Sequence, residues 1–320
     1  MDGQGLGDGP LTDPVALAGG TQNVMVKFRR GDREYVFRRG PRHLRPKSND
    51  NILREGRVLE ALDGTPVPHP GFIAACADTT VLGDAAFYLM EPVDGFNPTV
   101  ELPDLHRGDE EVQHRMGLSA AESIAHLGRI DPAAAGIADL GKPGSFLERQ
   151  VPRWLSELEG YSKHEGYPGP EIPGVDAVAE WLEANRPADQ APGVSHGDYH
   201  LANLMYRFDG GEVAAVVDWE MCTVGDPLLD LGWLLSMWGH ANLPNLPAEA
   251  ELVAAYAGVT DRDLSAVDWY IVLACFKLGI VLEGTHARAF AGRAPKDIGD
   301  MLHATTLALF ARAHEVIRTA

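Results

Sequence analysis

Three oxygen-bearing side chains follow one another closely in the middle of the chain. Asp198 lies in a polar loop, Asn203 follows it by five residues and Asp218 by 20. Carboxylates and a carboxamide are hard ligands of the kind that Mg²⁺ binds together with phosphate oxygens and water. Phosphoryl transfer uses such a set: one carboxylate orients the acceptor hydroxyl and takes its proton, while the other groups hold the metal on the nucleotide phosphates. The pattern therefore favours phosphoryl transfer, in which positioning and charge neutralisation matter more than strong base catalysis.

A β-hairpin is expected to position two of these groups. Two apolar runs, Leu204–Tyr206 and Val213–Val217, are separated by an Asp-Gly-Gly sequence that is typical of a turn. Asn203 begins the first strand and Asp218 follows the second, so both lie at one end of the hairpin. Asp198 precedes them on the loop.

The polar residues of this region also have structural alternatives. Asp198 could cap a loop and Asp218 could end a strand, but their combined spacing favours catalysis. We expect His196 to hydrogen-bond loop backbone, and Asp226 to brace the loop through backbone N–H groups. His200 could contact substrate or lie in solvent.

Composition excludes several classes of function. The chain has 320 residues, of which 45% are hydrophobic, enough for a packed core and two lobes. The net charge of −19 argues against a general nucleic-acid or anionic-membrane binder, because phosphate contacts need clustered Lys and Arg. The acidic charge is compatible with a cationic substrate, although solubility explains it more simply.

The chain is expected to be cytoplasmic. Cys76, Cys222 and Cys275 lack metal-binding spacing and fit a reducing compartment. The first residues have neither the basic nor the apolar region of a signal peptide. The longest apolar segment, Tyr270–Leu282, is too short to cross a bilayer.

The remaining pattern predicts a small strand-rich lobe, a linker and a helical lobe. Residues 1–14 are expected to be flexible, residues 15–90 to form the first lobe, residues 91–95 to be the hinge, and residues 96–320 to form the second lobe. Predicted strands of the first lobe are Val24–Phe28, Glu34–Arg39, Phe72–Ala77 and Ala86–Met90, with a helix at Asn51–Leu62. Predicted helices of the second lobe are Asp109–Arg129, Gly144–Gly160, Val175–Asn185, Leu228–Trp238, Ala248–Tyr256, Asp263–Ala289 and Lys296–Arg318.

Two features of the first lobe could serve a phosphate. A Gly-Gly turn at Gly19 and Gly20 can place backbone N–H groups over a phosphate, although the same pair is common in plain turns. A cation on the second strand could pair with Glu55 on the helix and orient a phosphate-binding side chain. Alternatively, Glu55 pairs with neighbouring arginines on the surface. The basic stretch Arg39–Lys47 could bind nucleotide or CoA phosphates, or be a solvated turn.

The loop from His196 to Asn203 resembles the catalytic loop of the aminoglycoside-phosphotransferase-like, or choline-kinase-like, small-molecule kinases. Asp218-Trp219-Glu220 resembles their metal-binding motif, and Gly225-Asp226-Pro227 with Asp230-Leu231 resembles the segment that follows it. The likeness extends over most of the chain. It implies an α+β, protein-kinase-like two-lobed fold, with a small antiparallel-sheet N-terminal lobe that binds nucleotide and a larger, mostly helical C-terminal lobe that holds the substrate.

Four segments narrow the resemblance. They are similar to the subfamily that is fused to acyl-CoA dehydrogenases in animals: Leu140–Pro143, Leu147–Val151, Asp218–Glu220 and Leu282–Arg288. This implies ATP- and Mg²⁺-dependent phosphorylation of a hydroxyl on a small molecule, for some members a hydroxyacyl-CoA. An aminoglycoside or macrolide antibiotic is the alternative acceptor. A non-catalytic nucleotide-binding regulator is a further alternative, which only Arg38 favours.

The resemblance also implies roles for individual residues. Asp198 would be the catalytic carboxylate, while Asn203 and Asp218 would bind Mg²⁺. Arg38 stands where the broader superfamily has a phosphate-binding lysine, and a planar guanidinium is not equivalent to an ammonium.

The other implied nucleotide-binding residues are Gly19, Gly20 and Thr21 over the phosphates, Glu55 beside Arg38, and the backbone of Glu91 and Val93 at the adenine. Candidates for contact with the acceptor are His200, Glu220, Arg149, Lys277, Glu283 and Arg288. For Lys277, Glu283 and Arg288 a buried ion pair is the favoured alternative. The identity of the acceptor, the choice of ATP or GTP and the oligomeric state are not determined by the sequence.

Overall fold

The computed structural model describes residues 1–17, 23–142, 144–239 and 243–320, in two compact units. Gly19, Gly20 and Thr21, the predicted phosphate-covering residues, lie outside the described residues. Unit 1 comprises Met1–Ser123, Pro132–Ala138 and Leu201–Cys222. Unit 2 comprises Ile124–Asp131, Asp139–His200 and Thr223–Ala320. The predicted hinge at residues 91–95 lies within unit 1, and the division into lobes at that point stays a prediction.

An antiparallel five-stranded sheet forms the centre of unit 1, in the order β1-β2-β3-β5-β4. Phe28, Tyr35 and Leu89 form a buried hydrophobic cluster on this sheet, against which Met1 and Leu6 pack. The strands are β1 (Leu11–Ala16), β2 (Val24–Arg30), β3 (Arg33–Arg39), β4 (Phe72–Cys76) and β5 (Phe87–Met90). The predicted strands therefore form one sheet.

Strand β1 was not expected, because residues 1–14 have the composition of a flexible segment. All six of its residues are exposed, so no alternation of apolar and polar residues marks it. It pairs with β2 through backbone hydrogen bonds at the edge of the sheet, where Pro14 is tolerated because an edge strand leaves some N–H positions unpaired.

Helix α1 (Ser48–Leu62) packs on the sheet, and its buried residues include Ile52, Val58 and Leu59. Its buried face also carries one charged residue, Glu55. Unit 1 further contains the predicted hairpin of β7 (Leu204–Tyr206) and β8 (Val213–Val216), the short helix α2 (Asp104–Gly108) and most of α3 (Glu110–Gly128).

Unit 2 is mostly helical, and its core surrounds two helices that are buried on nearly all sides. These are α6 (Leu228–Trp238) and α8 (Val267–Phe290). The other elements are α4 (Gln150–Gly160), α5 (Val175–Ala184), α7 (Glu249–Ala257), α9 (Lys296–Thr319) and the paired strands β6 (Gly193–Ser195) and β9 (Thr223–Gly225). Across the described part of the chain, no helix is long and apolar enough to span a membrane.

Helix α4 begins six residues later than predicted, at Gln150 instead of Gly144. The intervening residues form turns, and Arg149 donates hydrogen bonds to the backbone carbonyls of Lys142 and Gly144. The later start places Pro152 in the first helical turn, where its missing N–H has no intrahelical partner to lose.

Gly232 allows α6 to approach α8 closely. A Cβ atom at this position would lie 2.4 Å from the backbone oxygen of Tyr270. We expect Gly232→Ala to lower the free energy of unfolding by about 1–3 kcal/mol through overpacking, measured by urea denaturation. Gly239→Ala is the matched control, because its Cβ would meet no atom within 4 Å. Equal stability of the two variants would contradict this packing.

Candidate active site

The β7–β8 hairpin brings Asn203 and Asp218 to one end, as predicted. The backbone N–H of Val217 donates to the oxygen of Asn203 at 2.9 Å, so the residue beside Asp218 is paired with Asn203. Asp218 adopts a left-handed conformation (φ 68°), which Asp tolerates better than most residues. The buried Trp219 then donates its indole N–H to the oxygen of Val216 at 2.9 Å and fixes the turn.

The donor set at this hairpin end fits Mg²⁺. A carboxylate and a carboxamide are the hard oxygen groups that the ion prefers, and the Asp218 side chain is about one third exposed, at 36%. Asn203 is buried, which restricts the conformations of its side chain.

Arg38 joins the sheet, helix α1 and the hairpin inside unit 1. Its Nε lies 2.8 Å from Glu55 Oε2 in an ion pair, and its Nη2 donates to Asp218 Oδ1 at 2.8 Å. The hydroxyl of Tyr88 donates to the same Glu55 oxygen at 3.1 Å. The predicted pairing of Arg38 with Glu55 is therefore present, and the alternative of a surface contact for Glu55 is wrong.

The charges of this cluster depend on one another, because Arg38 and Glu55 are both buried. Burial lowers the pKa of Arg38, but the negative charges of Glu55 and Asp218 raise it above its ordinary value. Burial raises the pKa of Glu55, and the charge of Arg38 opposes that shift. The guanidinium stays charged and spans two carboxylates, which its planar fork allows and a single ammonium does not.

Glu91 and Val93 are the two hinge residues whose backbone is predicted to contact the adenine. The N–H of Glu91 donates to the oxygen of Gly71 at 2.8 Å, and its side chain pairs with Arg33 at 3.0 Å on the surface. An adenine contact from Glu91 would therefore use its carbonyl oxygen. Val93 is partly buried.

In unit 2, a buried carboxylate holds the backbone just before Asp198. Asp230 on α6 accepts hydrogen bonds from the N–H groups of His196 and Gly197, at 2.6 and 2.9 Å. On the other side, Nζ of Lys277 on α8 donates to the carbonyl oxygen of Gly197 at 3.2 Å. The backbone before Asp198 is thus held through two N–H donors, those of His196 and Gly197, and through one acceptor, the carbonyl oxygen of Gly197.

His196 also contributes to the shape of this loop. It is fully buried, and its Nδ1 accepts the N–H of Asp198 at 3.3 Å. This confirms its predicted contact with loop backbone.

The carboxyl of Asp198 itself is held in the ionised form. Burial raises its pKa. The hydrogen bond from His200 and the positive charges of His200, His196 and Lys277 lower it by more, so the net pKa is below the ordinary value. Nε2 of His200 lies 3.4 Å from Asp198 Oδ1. His200 therefore contacts the carboxylate, and a role in substrate binding stays a prediction.

The expected brace of the loop, Asp226, has a different function. Its side chain accepts the N–H of Leu228 at 3.0 Å and the hydroxyl of Tyr270 at 2.7 Å, so it links the first residue of α6 to α8. Asp230, one helical turn later, takes the bracing role. The reason for the correction is position: Asp226 lies just before α6 and accepts the N–H of Leu228, whereas Asp230 lies in the first turn and reaches the loop.

The favoured ion pair among Lys277, Glu283 and Arg288 is wrong. Lys277 lies over the ring of Trp233, with Nζ 4.3 Å from its centroid, and contacts Gly197. Glu283 contacts His286 and His303, and the exposed Arg288 donates to Thr285 at 2.6 Å. Six residues of helix separate Lys277 from Glu283, which turns them to different faces.

Two other candidates for acceptor contact are exposed and have contacts of a structural kind. Arg149 clamps the turn before α4, as described above. Glu220 is exposed, and its backbone oxygen accepts Nη1 of Arg54 at 3.2 Å. An acceptor role for either residue stays a prediction.

Sequence reasoning missed the bracing by Asp230 and the contribution of Tyr88. One signal pointed to Asp230: it is the acidic residue within an otherwise apolar helix, and a buried acid needs partners. The partner itself comes from a distant part of the chain. Tyr88 looked like an ordinary aromatic residue of a strand.

Comparison with known proteins decides the family. The sequence pattern of a family described as "Phosphotransferase enzyme family" matches residues 14–270, which is most of the chain. The chain belongs to this family. This family agrees with the phosphoryl transfer that the residues around Asp198 indicate.

Relatives of this phosphotransferase include proteins named for another activity. Mouse acyl-CoA dehydrogenase family member 10 is 26% identical over 295 residues, covering 86% of this chain and 26% of that protein. The phosphotransferase spans between 26% and 36% of the length of the first curated relatives that it matches. The predicted likeness to the subfamily linked to acyl-CoA dehydrogenases is confirmed.

Solved structures confirm the kinase-like α+β fold. A Ralstonia eutropha protein, provisionally described as an aminoglycoside phosphotransferase, is 27% identical with a TM-score of 0.80, covering 97% of this chain and 94% of that chain. A thermostable variant of an aminoglycoside phosphotransferase, in a ternary complex with ADP and hygromycin B, has a TM-score of 0.59. It is 15% identical and covers 92% of this chain and 94% of its own, so it shows the fold alone.

The buried Arg38–Glu55 pair generates a prediction about stability. We expect Arg38→Met to lower the free energy of unfolding by about 3–5 kcal/mol, because it leaves the Glu55 carboxylate buried beside no cation. The double variant Arg38→Met/Glu55→Gln removes the stranded charge and should recover at least half of that loss. Urea denaturation measures both variants. A loss below about 1 kcal/mol in Arg38→Met would contradict the pairing.

Lys277 generates a prediction about pH. Burial lowers its pKa from 10.5 to about 8, although the charges of Asp230 and Asp198 oppose the shift. Between these values the unfolded phosphotransferase binds more protons than the folded one, so stability rises with pH. Below pH 8 the ammonium is charged in both states, and its burial has a cost.

We therefore compare the wild type with Lys277→Met by urea denaturation at pH 7 and pH 10. The wild type should gain up to about 3 kcal/mol relative to the variant on going to the higher pH. The comparison cancels the titration of groups that do not interact with Lys277. A difference that does not change with pH would show that Lys277 titrates at its ordinary value.

Proposed function

We propose that this phosphotransferase transfers the γ-phosphoryl group of Mg·ATP to a hydroxyl group of a small molecule. The ionised Asp198 carboxylate, whose loop backbone is braced by Asp230 and Lys277, is the observation that carries the proposal. A carboxylate held in this way suits a group that orients an acceptor hydroxyl.

Each residue of the proposed site has a defined task. Asp198 accepts a hydrogen bond from the acceptor hydroxyl and takes its proton as the phosphoryl group moves. Asn203 and Asp218 hold Mg²⁺, which neutralises charge on the phosphates when it is bound. Arg38 holds the Asp218 carboxylate in place through Nη2. Because its fork already contacts two carboxylates, we assign Arg38 a positioning task as well as phosphate contact.

The nucleotide assignment is supported by the family and by the resemblance that points to residues 91–95 as the hinge. The carbonyl of Glu91 and the N–H of Val93 would meet the adenine, and the lobe boundary would lie at residues 91–95. Gly19, Gly20 and Thr21 would cover the phosphates. The structural neighbour with ADP bound is consistent with an adenine nucleotide.

Within this function, a hydroxyacyl-CoA or a related metabolite is the favoured acceptor. The relatives named as acyl-CoA dehydrogenases support it, because a kinase portion joined to such an enzyme would act on a similar acyl compound. An aminoglycoside or macrolide is the second candidate, which the kinase-like neighbours favour. His200 and Glu220 remain candidates for acceptor contact.

We also keep a cytoplasmic location as a prediction, since the three cysteines are free thiols.

The alternative of a non-catalytic regulator loses its main argument. It depended on an arginine where the broader superfamily has lysine, but here Arg38 makes the pairing with Glu55 that a catalytic site requires. Calorimetry with Mg·ATP, followed by an ATP-consumption assay, separates the two functions. Tight binding without turnover on any acceptor would favour the regulator.

The central test is the Asp198→Asn variant. We expect turnover to fall by at least about 100-fold, in the range for loss of a general base, while affinity for Mg·ATP changes by less than about threefold. Asp209→Asn is the control, because this exposed carboxylate lies at the hairpin turn and pairs with Arg207. Full activity of Asp198→Asn would overturn the assignment.

The acceptor is found by one ATP-consumption screen. It compares hydroxyacyl-CoAs, free hydroxy acids, aminoglycosides and macrolides at equal concentration, with Asp198→Asn as the blank. Turnover with hydroxyacyl-CoAs alone supports the favoured acceptor, and turnover with antibiotics alone supports the second candidate.

A further inference from the structure

Three potential metal ligands converge where α8 contacts α9. Glu283 and His286 lie on α8, and His303 lies on α9. Nδ1 of His303 is 2.7 Å from Glu283 Oε2, and Nδ1 of His286 is 3.1 Å from Glu283 Oε1. Their possible ligand atoms all lie within 4.8 Å of one another. The two carboxylate oxygens thus each face a different imidazole nitrogen.

The burial of this cluster makes it more than a surface contact. Glu283 is completely buried, and the two histidine side chains are only 13% and 18% exposed. The imidazole rings stack with centroids 4.3 Å apart and an interplanar angle of 26°. Two rings this close repel if both are protonated. A cation bound to both neutral Nδ1 atoms removes that repulsion and keeps the carboxylate paired.

We propose that Glu283, His286 and His303 bind one divalent transition-metal ion, with Zn²⁺ the best match. Two imidazoles and one carboxylate form a known zinc ligand set that leaves a position for water. Ligands about 2.1 Å from zinc lie roughly 3.0–3.4 Å from their neighbours. The observed contacts of 2.7 and 3.1 Å are close to this spacing, so small side-chain shifts admit the ion. Nitrogen ligands make Mg²⁺ and Ca²⁺ poor alternatives.

The groups around the ligands are of the kind that supports a metal site. The hydroxyl of Tyr167 donates to Glu283 Oε1 at 2.6 Å and fixes the carboxylate. Asp300 Oδ1 lies 3.7 Å from Nε2 of His286, on the side of the ring opposite to the ligand atom. Metal-bound imidazoles commonly direct their second N–H at a carboxylate, which orients the ring and makes it a better ligand.

A metal at this place would link α8 to α9. These helices pack against each other over much of their length in unit 2. Binding to the folded state alone raises its apparent stability. The site would therefore stabilise unit 2, and it gives Glu283 a task other than acceptor contact.

The test is calorimetric titration of ZnCl₂ into tag-free, chelator-treated protein, without nucleotide or acceptor. The wild type should bind one equivalent. His303→Asn is the decisive variant, because the amide N–H of Asn can replace the hydrogen bond of Nδ1 to Glu283 but is a poor zinc ligand. We expect a loss of affinity of at least about 100-fold. Asp300→Asn should weaken binding by about 10-fold, as is usual for a supporting carboxylate.

His43→Ala is the matched control, since this histidine is exposed and lies in unit 1. It should bind zinc as the wild type does. His286→Asn is a second independent variant, and circular dichroism without metal checks that both Asn variants are folded. Zinc should raise the Tm of the wild type and of His43→Ala but not that of the Asn variants. Wild-type zinc affinity in a folded His303→Asn or His286→Asn protein, or no binding by the wild type, would overturn the proposal.

Discussion

One buried carboxylate, that of Asp230, determines the conformation of the loop that carries Asp198. It accepts the backbone N–H groups of His196 and Gly197, while Lys277 donates to the carbonyl oxygen of Gly197, the residue before Asp198. Burying either charge alone would be costly, and their attraction across the loop offsets part of that cost. The acid and the ammonium lie on two helices of the core of unit 2, so a rigid scaffold and not the loop itself sets the geometry.

A second buried charge has the corresponding role in unit 1. Arg38 contacts Glu55 from α1 and Asp218 from the hairpin, which places three separate elements in a fixed relation. Arginine suits this task better than lysine because its planar fork donates in two directions at once. Burying a charged side chain costs more free energy than burying a hydrophobic one, unless the charge is paired. The contacts of these two clusters explain why charged residues nevertheless occupy these core positions. Both serve to orient a carboxylate.

The sequence predicted those residues of the site that lie close to one another along the chain. Asn203 and Asp218 flank a hairpin whose turn and apolar runs are continuous in the chain, so antiparallel pairing alone brings both residues to its open end. The partners of the loop were not predictable, because Asp230 and Lys277 reach it from helices 33 and 80 residues away. The predicted helices and strands were mostly found, since apolar periodicity marks buried elements. Strand β1 was missed because an exposed edge strand pairs through backbone groups alone.

The role of Asp230 is tested most directly by amide hydrogen exchange at Gly197. The exchange rate is compared with that of Leu273, a buried residue of α8, to remove effects of global stability. We expect the wild-type Gly197 amide to exchange slowly. In Asp230→Asn, where one of the two N–H groups loses its acceptor, the exchange of Gly197 or His196 should become about 10- to 100-fold faster relative to Leu273. Fast exchange in the wild type, or an unchanged ratio in the variant, would contradict the account.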